Sequence, residues 1–237
     1  MELYNSFIRR TGELLEGKNI RRWAYDKARC WPDVGKNQLI MQRESAFELG
    51  NDRKAISFSC ATTDAKLVGA DEIWLVGPDL SELKADSVYA RIVFTAVQDI
   101  GEDDEAFKAL QQIDFAKYRV YPDGYMMRAL AEDNREQVRV SKDAVKKGIS
   151  FERVGCSYIA KYKENPDVRF VRMIFITDPT VDFAALRELA RKSYDVTNSL
   201  SSIFRGLPTD CESCGLRDLC EEVDGMRELH FQQNSKK

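Results

Sequence analysis

One histidine and six prolines in 237 residues leave little material for several common kinds of chemistry and architecture. The sole imidazole, His230, has no Ser or Cys motif beside it, so no local sequence assembles a nucleophile–base pair. Neither a Walker-type loop nor a GxGxxG turn occurs, which argues against nucleotide hydrolysis and against a dinucleotide site. Proline-rich, glycine-rich and low-complexity linkers are missing, and no internal repeat is found. Long apolar runs are missing too: Ile73–Val76 and Met173–Ile176 fall far short of the ~20 residues that span a bilayer. The opening MELYNSFIRR carries no signal-peptide apolar region. The net charge of −3 supplies no general attraction to nucleic acid or anionic lipid. These absences predict a cytoplasmic protein without a membrane or nucleic-acid partner.

Against that background the end of the chain stands out. The stretch CESCGLRDLCEEVDGMRELH, residues 211–230, gathers three of the six cysteines and the only histidine. Disulfides are disfavoured in a reducing cytoplasm, so clustered thiols read as metal ligands or redox groups. The spacing is Cys211-x2-Cys214-x5-Cys220-x9-His230. Two thiolates three positions apart in a tight turn reach one metal ion or cluster, and intervening backbone N–H groups face the anionic sulfurs. The bland alternative makes these cysteines small core residues. LPTDCESCGLRDLC is too polar and turn-rich for that. His230 is one candidate fourth ligand, and Cys30, in the turn-rich CWPDVGKN, is the other. On spacing alone zinc accepts three thiolates and an imidazole readily, whereas a [4Fe–4S] cluster prefers four thiolates.

The remainder reads as a mixture of helices and strands. Residues 1–51 look mainly helical, with Leu3, Phe7, Leu14 and Leu15 near helical spacing. Residues 54–61 alternate Ile56, Phe58 and Cys60 with Ser57 and Ser59, the period of a half-buried strand in which Cys60 is a core side chain. EIWLVGPDL (72–80), YARIVFTAV (89–97), Gln137–Ser141 and VRFVRMIFIT (168–177) complete the expected strands. Helices are expected over 103–118, over 142–147 with Ser141 as cap and Gly148 as stop, over 151–162, and from Thr180 or Asp182 to about Gly206. Residues 121–136 read as a polar connection. The order predicts an α+β (mixed α/β) fold with a mixed sheet and packed helices. Its parts are a mainly helical N-terminal segment (1–65), a body (66–206) and a cysteine-rich C-terminal metal-binding segment (207–237).

The blocks EIWLVGPDL, ARIVFTAV, REQVRVSKDAVKKGISFERVGCSYIAK, VRMIFITD and LARKSYDVTNSLSSIFRGLPTDCESC, in that order, resemble the β-subunit family of the carbon monoxide dehydrogenase/acetyl-CoA synthase complex. The resemblance runs from about Glu72 to the end and implies an acetyl-CoA-synthase middle-domain body leading into a cluster segment. In that family the cluster cysteines follow C-x2-C-x8-C-x9-C. Cys211, Cys214 and Cys220 then match the first three with three residues deleted, and His230 takes the register of the fourth. The resemblance therefore implies an iron–sulfur cluster, [4Fe–4S], in preference to zinc. The family's nickel-binding Cys-Gly-Cys tripeptide does not occur, so nickel and complete acetyl-CoA synthesis are not expected of this polypeptide alone.

The resemblance further implies coenzyme A and a corrinoid or other one-carbon-pathway protein as partners. Arg135, Arg139 and Lys142 lie in the matching segment and are candidates for holding nucleotide phosphates, although cations there are more often simply solvated. Three functions compete: an accessory, docking or electron-transfer metal protein of anaerobic one-carbon metabolism; a subunit sharing directly in acetyl transfer; and a zinc-stabilised interaction module.

Overall fold

The computed structural model describes residues 2–35, 42–50, 55–98, 104–130 and 135–204, with Arg217, Val223 and Met226 beyond them. Among these, eight strands form two sheets. The larger comprises β1 (Ile20–Ala24), β3 (Ala55–Thr62), β4 (Glu72–Val76), β5 (Tyr89–Val97) and β8 (Val168–Ile176), in the order β1-β4-β8-β5-β3. It is mixed: β4 runs parallel to β8 and β3 parallel to β5, while β1–β4 and β5–β8 are antiparallel. The smaller sheet is antiparallel, with β7 (Arg135–Ser141) between β2 (Ala46–Leu49) and β6 (Tyr125–Leu130). Five helices pack on these sheets: α1 (Asn5–Leu14), α2 (Asp104–Phe115), α3 (Lys142–Lys146), α4 (Phe151–Tyr162) and α5 (Phe183–Phe204). The α+β class expected from the sequence is the observed one.

Strand alternation divides the core in two. On β5, Ala90, Ile92, Phe94 and Ala96 face a cluster shared with α1 and α5, while Tyr89, Val93 and Val97 face one shared with α4 and the smaller sheet. Both faces of β5 are covered, and all nine of its residues are buried, which explains its almost unbroken apolar character. The layers are thus α1/α5, the five-stranded sheet, and α4 beside the three-stranded sheet.

Side chains cap the helix starts, and two of them, Ser141 and Asp182, are those expected from the sequence. Ser141 Oγ accepts hydrogen bonds from Asp143 N and Ala144 N, Ser150 Oγ accepts one from Arg153 N, and Asp182 Oδ1 accepts from Ala184 N and Ala185 N. Gly148, at φ +89°, closes the turn after α3. Gly155 serves a different purpose. A Cβ there would lie 2.6 Å from Ile73 Cγ1, so glycine is what lets α4 sit directly on β4.

Two expectations are corrected. The opening segment is not mainly helical: among its described residues only Asn5–Leu14 is an α-helix, and β1 and β2 lie within residues 1–51. β1, IRRWA, has no apolar alternation. Its basic stems are used as packing, Arg22 lying 4.3 Å over the Trp74 ring while Arg21 pairs with Glu82. Nor are residues 121–136 merely a connection, because they contain β6. YMMRAL is poor in β-branched residues, and pairing with β7 decides its state. Among the described residues no helix is long and apolar enough to cross a membrane.

Candidate functional site

The residues proposed to ligate metal, Cys211, Cys214, Cys220 and His230, lie outside the described residues. What flanks them is described. Leu200, in the last turns of α5, and Val223 and Met226, beyond the cysteines, are all buried in the cluster on the α1/α5 face. Val223, at 3% exposure, and Met226, fully buried, therefore sit in the same cluster as the end of α5. Fixed points on both sides of a stretch of chain lower the entropy of closing it, which favours convergence of ligands borne between them.

The three described cysteines are free and do not converge. Cys60 belongs to the α1/α5 face, whereas Cys30 and Cys156 belong to the α4 face. Burial and the nearby Asp26 carboxylate raise the Cys30 thiol above its ordinary pKa, and burial does the same for Cys156. Both effects oppose the thiolate that metal ligation requires. Among the described residues no three His, Cys, Asp or Glu side chains are grouped to hold a metal. Cys30 lies in the cluster on the opposite face of the sheet from Val223 and Met226.

The candidate phosphate-binding cations lie on and beside β7. Glu136, Val138 and Val140 of β7 point inward and are buried, so Arg139 falls on the outer face with Gln137. Arg139 Nε donates to Glu48 Oε1 of the adjoining β2 at 2.7 Å. Lys142 Nζ donates to the Glu44 carbonyl at 2.8 Å. Arg135 opens the strand, and its side chain is outside the described residues. Register adds a cation that sequence reading missed: exposed Arg128 of β6 sits opposite Gln137, next to the Met126–Arg139 pair. Alternation could have flagged it only if residues 125–130 had been recognised as a strand. The arrangement presents Arg128, Arg139 and Lys142 around the outer face of the smaller sheet, with Glu48 already engaging one of them.

Beneath this face, β7 is fastened to the larger sheet by a buried ion pair. Arg91 Nη2 of β5 donates to Glu136 Oε2, and both residues are buried. The Arg91 guanidinium lies 4.5 Å over the Tyr158 ring. Burial works against the charged guanidinium, but the Glu136 carboxylate and surrounding tyrosines hold its pKa well above the ordinary value. Nearby, the Tyr89 and Tyr125 hydroxyls share a 2.6 Å hydrogen bond that links β5 to β6. Burial raises the pKa of both phenols well above the ordinary value. The polar contacts therefore fix where the outer face stands relative to the body.

Comparison with protein families supplies the family. The profile of the CO dehydrogenase/acetyl-CoA synthase complex beta subunit matches residues 36–181, more than half the chain. The chain belongs to that family. This ties it to CO/acetyl-CoA one-carbon metabolism and to a multi-protein complex. The match takes in the smaller sheet with Arg128, Arg139 and Lys142, the Arg91–Glu136 pair and all of β8, and ends before α5. The cysteine segment lies outside the matched residues. No protein of curated function matches the chain.

Proposed function

We propose that the chain is a metal-cluster component of CO/acetyl-CoA metabolism, acting as an accessory, docking or electron-transfer protein in an anaerobic cytoplasm. Cys211, Cys214, Cys220 and His230 would hold a [4Fe–4S] cluster, which supplies one-electron transfer when bound. The observation that carries this reading is the burial of Leu200, Val223 and Met226, which flank the cysteines in sequence, in one cluster of a body belonging to the beta-subunit family. The placement of Cys30 across the sheet favours His230 as fourth ligand. The missing Cys-Gly-Cys tripeptide argues against nickel chemistry by this chain alone. A corrinoid or other one-carbon-pathway protein is the partner that fits the family.

The test is anaerobic purification followed by iron, sulfide, zinc and nickel analysis. About four irons and four sulfides per chain, lost in Cys214→Ser while the body stays folded, is the expected result. One zinc and no sulfide would replace the cluster by a structural zinc site. Stoichiometric nickel would restore direct acetyl transfer.

The same family membership supports coenzyme A as a ligand of the outer face of the smaller sheet, where Arg128, Arg139 and Lys142 would meet its phosphates. Titration of coenzyme A by calorimetry should give a salt-dependent affinity that falls about tenfold in Arg139→Gln. Unchanged affinity in that variant would remove the outer face from consideration.

A further inference from the structure

After β1 the chain lies across the first turns of α4. Trp31 N donates to the Arg153 carbonyl at 3.2 Å, and the Trp31 carbonyl accepts from Ser157 Oγ at 3.0 Å. Arg29 pairs with Glu152 at 2.8 Å, and the Arg153 guanidinium lies 4.4 Å over the Trp31 ring. Arg153, Cys156 and Ser157 are spaced i, i+3 and i+4, so they share one face of the helix. The face that receives Trp31 is therefore the one that carries Cys156.

Cys30 immediately precedes Trp31 in this crossing. Its sulfur is within hydrogen-bonding reach of the Ser157 hydroxyl, and the Cys156 sulfur is within reach of the Asp26 amide. Tyr25 lies close enough to interact with both thiols. A disulfide bridges Cα atoms no more than about 7 Å apart, so its two residues must stand on segments in direct contact, as these do. The pair is also graded in access: Cys30 is half-buried, whereas Cys156 is fully buried behind it. An accessible thiol backed by a second one is the arrangement of a two-step exchange.

The crossing also supports the smaller sheet. Trp31 Nε1 donates to the Asp123 carbonyl at 2.7 Å, and Asp33 Oδ2 accepts from Tyr121 N at 3.0 Å, both just before β6.

We propose that Cys30 and Cys156 form a reversible disulfide, made by exchange with a low-molecular-weight disulfide, that staples the crossing to α4 and with it the approach to β6. The Cys30 thiolate attacks one sulfur of the small disulfide and releases one small thiol, leaving a mixed disulfide on Cys30. The Cys156 thiolate then attacks Cys30 Sγ and releases the second small thiol. The two protein thiols give up two electrons and two protons, and the small disulfide becomes two thiols. The pair shares no residue with the cysteine segment or with Arg128, Arg139 and Lys142, so it stands or falls separately from the functions proposed for them.

Oxidised glutathione is the probe, added to the full chain at mildly alkaline pH to supply thiolate. Remaining thiols are then blocked, and tryptic peptides are read by mass spectrometry. Cleavage after Arg29, Lys36, Arg153 and Lys161 yields CWPDVGK and VGCSYIAK. These two peptides are expected joined, two hydrogens lighter than their sum, and separated again by dithiothreitol. In Cys156→Ser, Cys30 should instead keep glutathione, because no second thiol displaces it. In Cys30→Ser, Cys156 should stay unmodified behind its cover. Glutathione retained on Cys30 of the unsubstituted chain, both peptides still unlinked when the other cysteines have reacted, or linkage that appears only in urea would overturn the proposal.

Discussion

Arg91 on β5 and Glu136 on β7 form a buried ion pair that joins the two sheets, beside the Tyr89–Tyr125 hydrogen bond. Pairing in a low-dielectric interior is worth little net, but loss of one partner strands the other's charge. Arg91→Met or Glu136→Leu should each destabilise the fold by about 3–5 kcal/mol, read as a lower urea midpoint. The double variant should cost clearly less than the sum of the two singles. Additive costs would mean that the pair is not coupled.

Close packing of α4 on β4 depends on one missing methyl group. Gly155→Ala would place a Cβ within 3 Å of both Cγ1 and Cγ2 of Ile73. Overpacking of this kind should cost about 1–3 kcal/mol despite the better helix propensity of alanine. Thermal unfolding should show a lower midpoint for Gly155→Ala, and shortening the neighbour in Ile73→Val/Gly155→Ala should return part of it. A raised midpoint in the single variant would contradict the packing described.

Asp79 and Glu82, in the turn after β4, should titrate on opposite sides of the ordinary carboxylate range. The Arg21 guanidinium bonded to both oxygens of Glu82, followed by the Asp79 amide, lowers its pKa. Burial raises the pKa of Asp79, although Phe151 N and Leu80 N donate to it. Glu82 therefore adds stability above the unfolded carboxylate range and loses it as the pH falls through its depressed folded value. Its half-exposed position keeps that contribution small. Asp79 has the opposite sign: its folded state keeps the proton longer, so stability is lost as the pH rises from the ordinary aspartate value to the raised folded one. Carboxyl carbon NMR should place the Glu82 midpoint below and the Asp79 midpoint above those of free side chains, and Arg21→Gln should return Glu82 toward the ordinary range.

Met226 follows the cysteines in sequence and lies in the α1/α5 cluster. Because it is fully buried, Met226→Ala should cost about 2–5 kcal/mol if the segment folds with the body. Metal content after anaerobic purification should fall along with it. Met226→Leu, which conserves volume, should retain both. Full metal content in Met226→Ala would separate the anchoring from the ligand set.

Most regular elements were legible because local signals agreed with tertiary burial. β5 and β8 are predominantly apolar over nine residues each, and Ser141 and Asp182 stand where helices start. Where local signals were weak, pairing decided. β1 with two arginines, β2 with four residues and β6 with two methionines became strands through their neighbours. Arg128 was overlooked for the same reason, since its side of the sheet depends on a register that β6 alone does not encode.

By itself the sequence determined the α+β class, the helix boundaries marked by capping side chains, and the spacing of the cysteines and the histidine near the carboxyl end, because each depends on residues close together along the chain. Only the tertiary structure decided which cysteines share a face, that an arginine and a glutamate 45 positions apart meet in the interior, and that Arg128 stands beside Arg139 on the outer face of the smaller sheet. Those relationships arise from strand order and register, which bring distant residues within a few ångströms and leave no periodic trace in either segment.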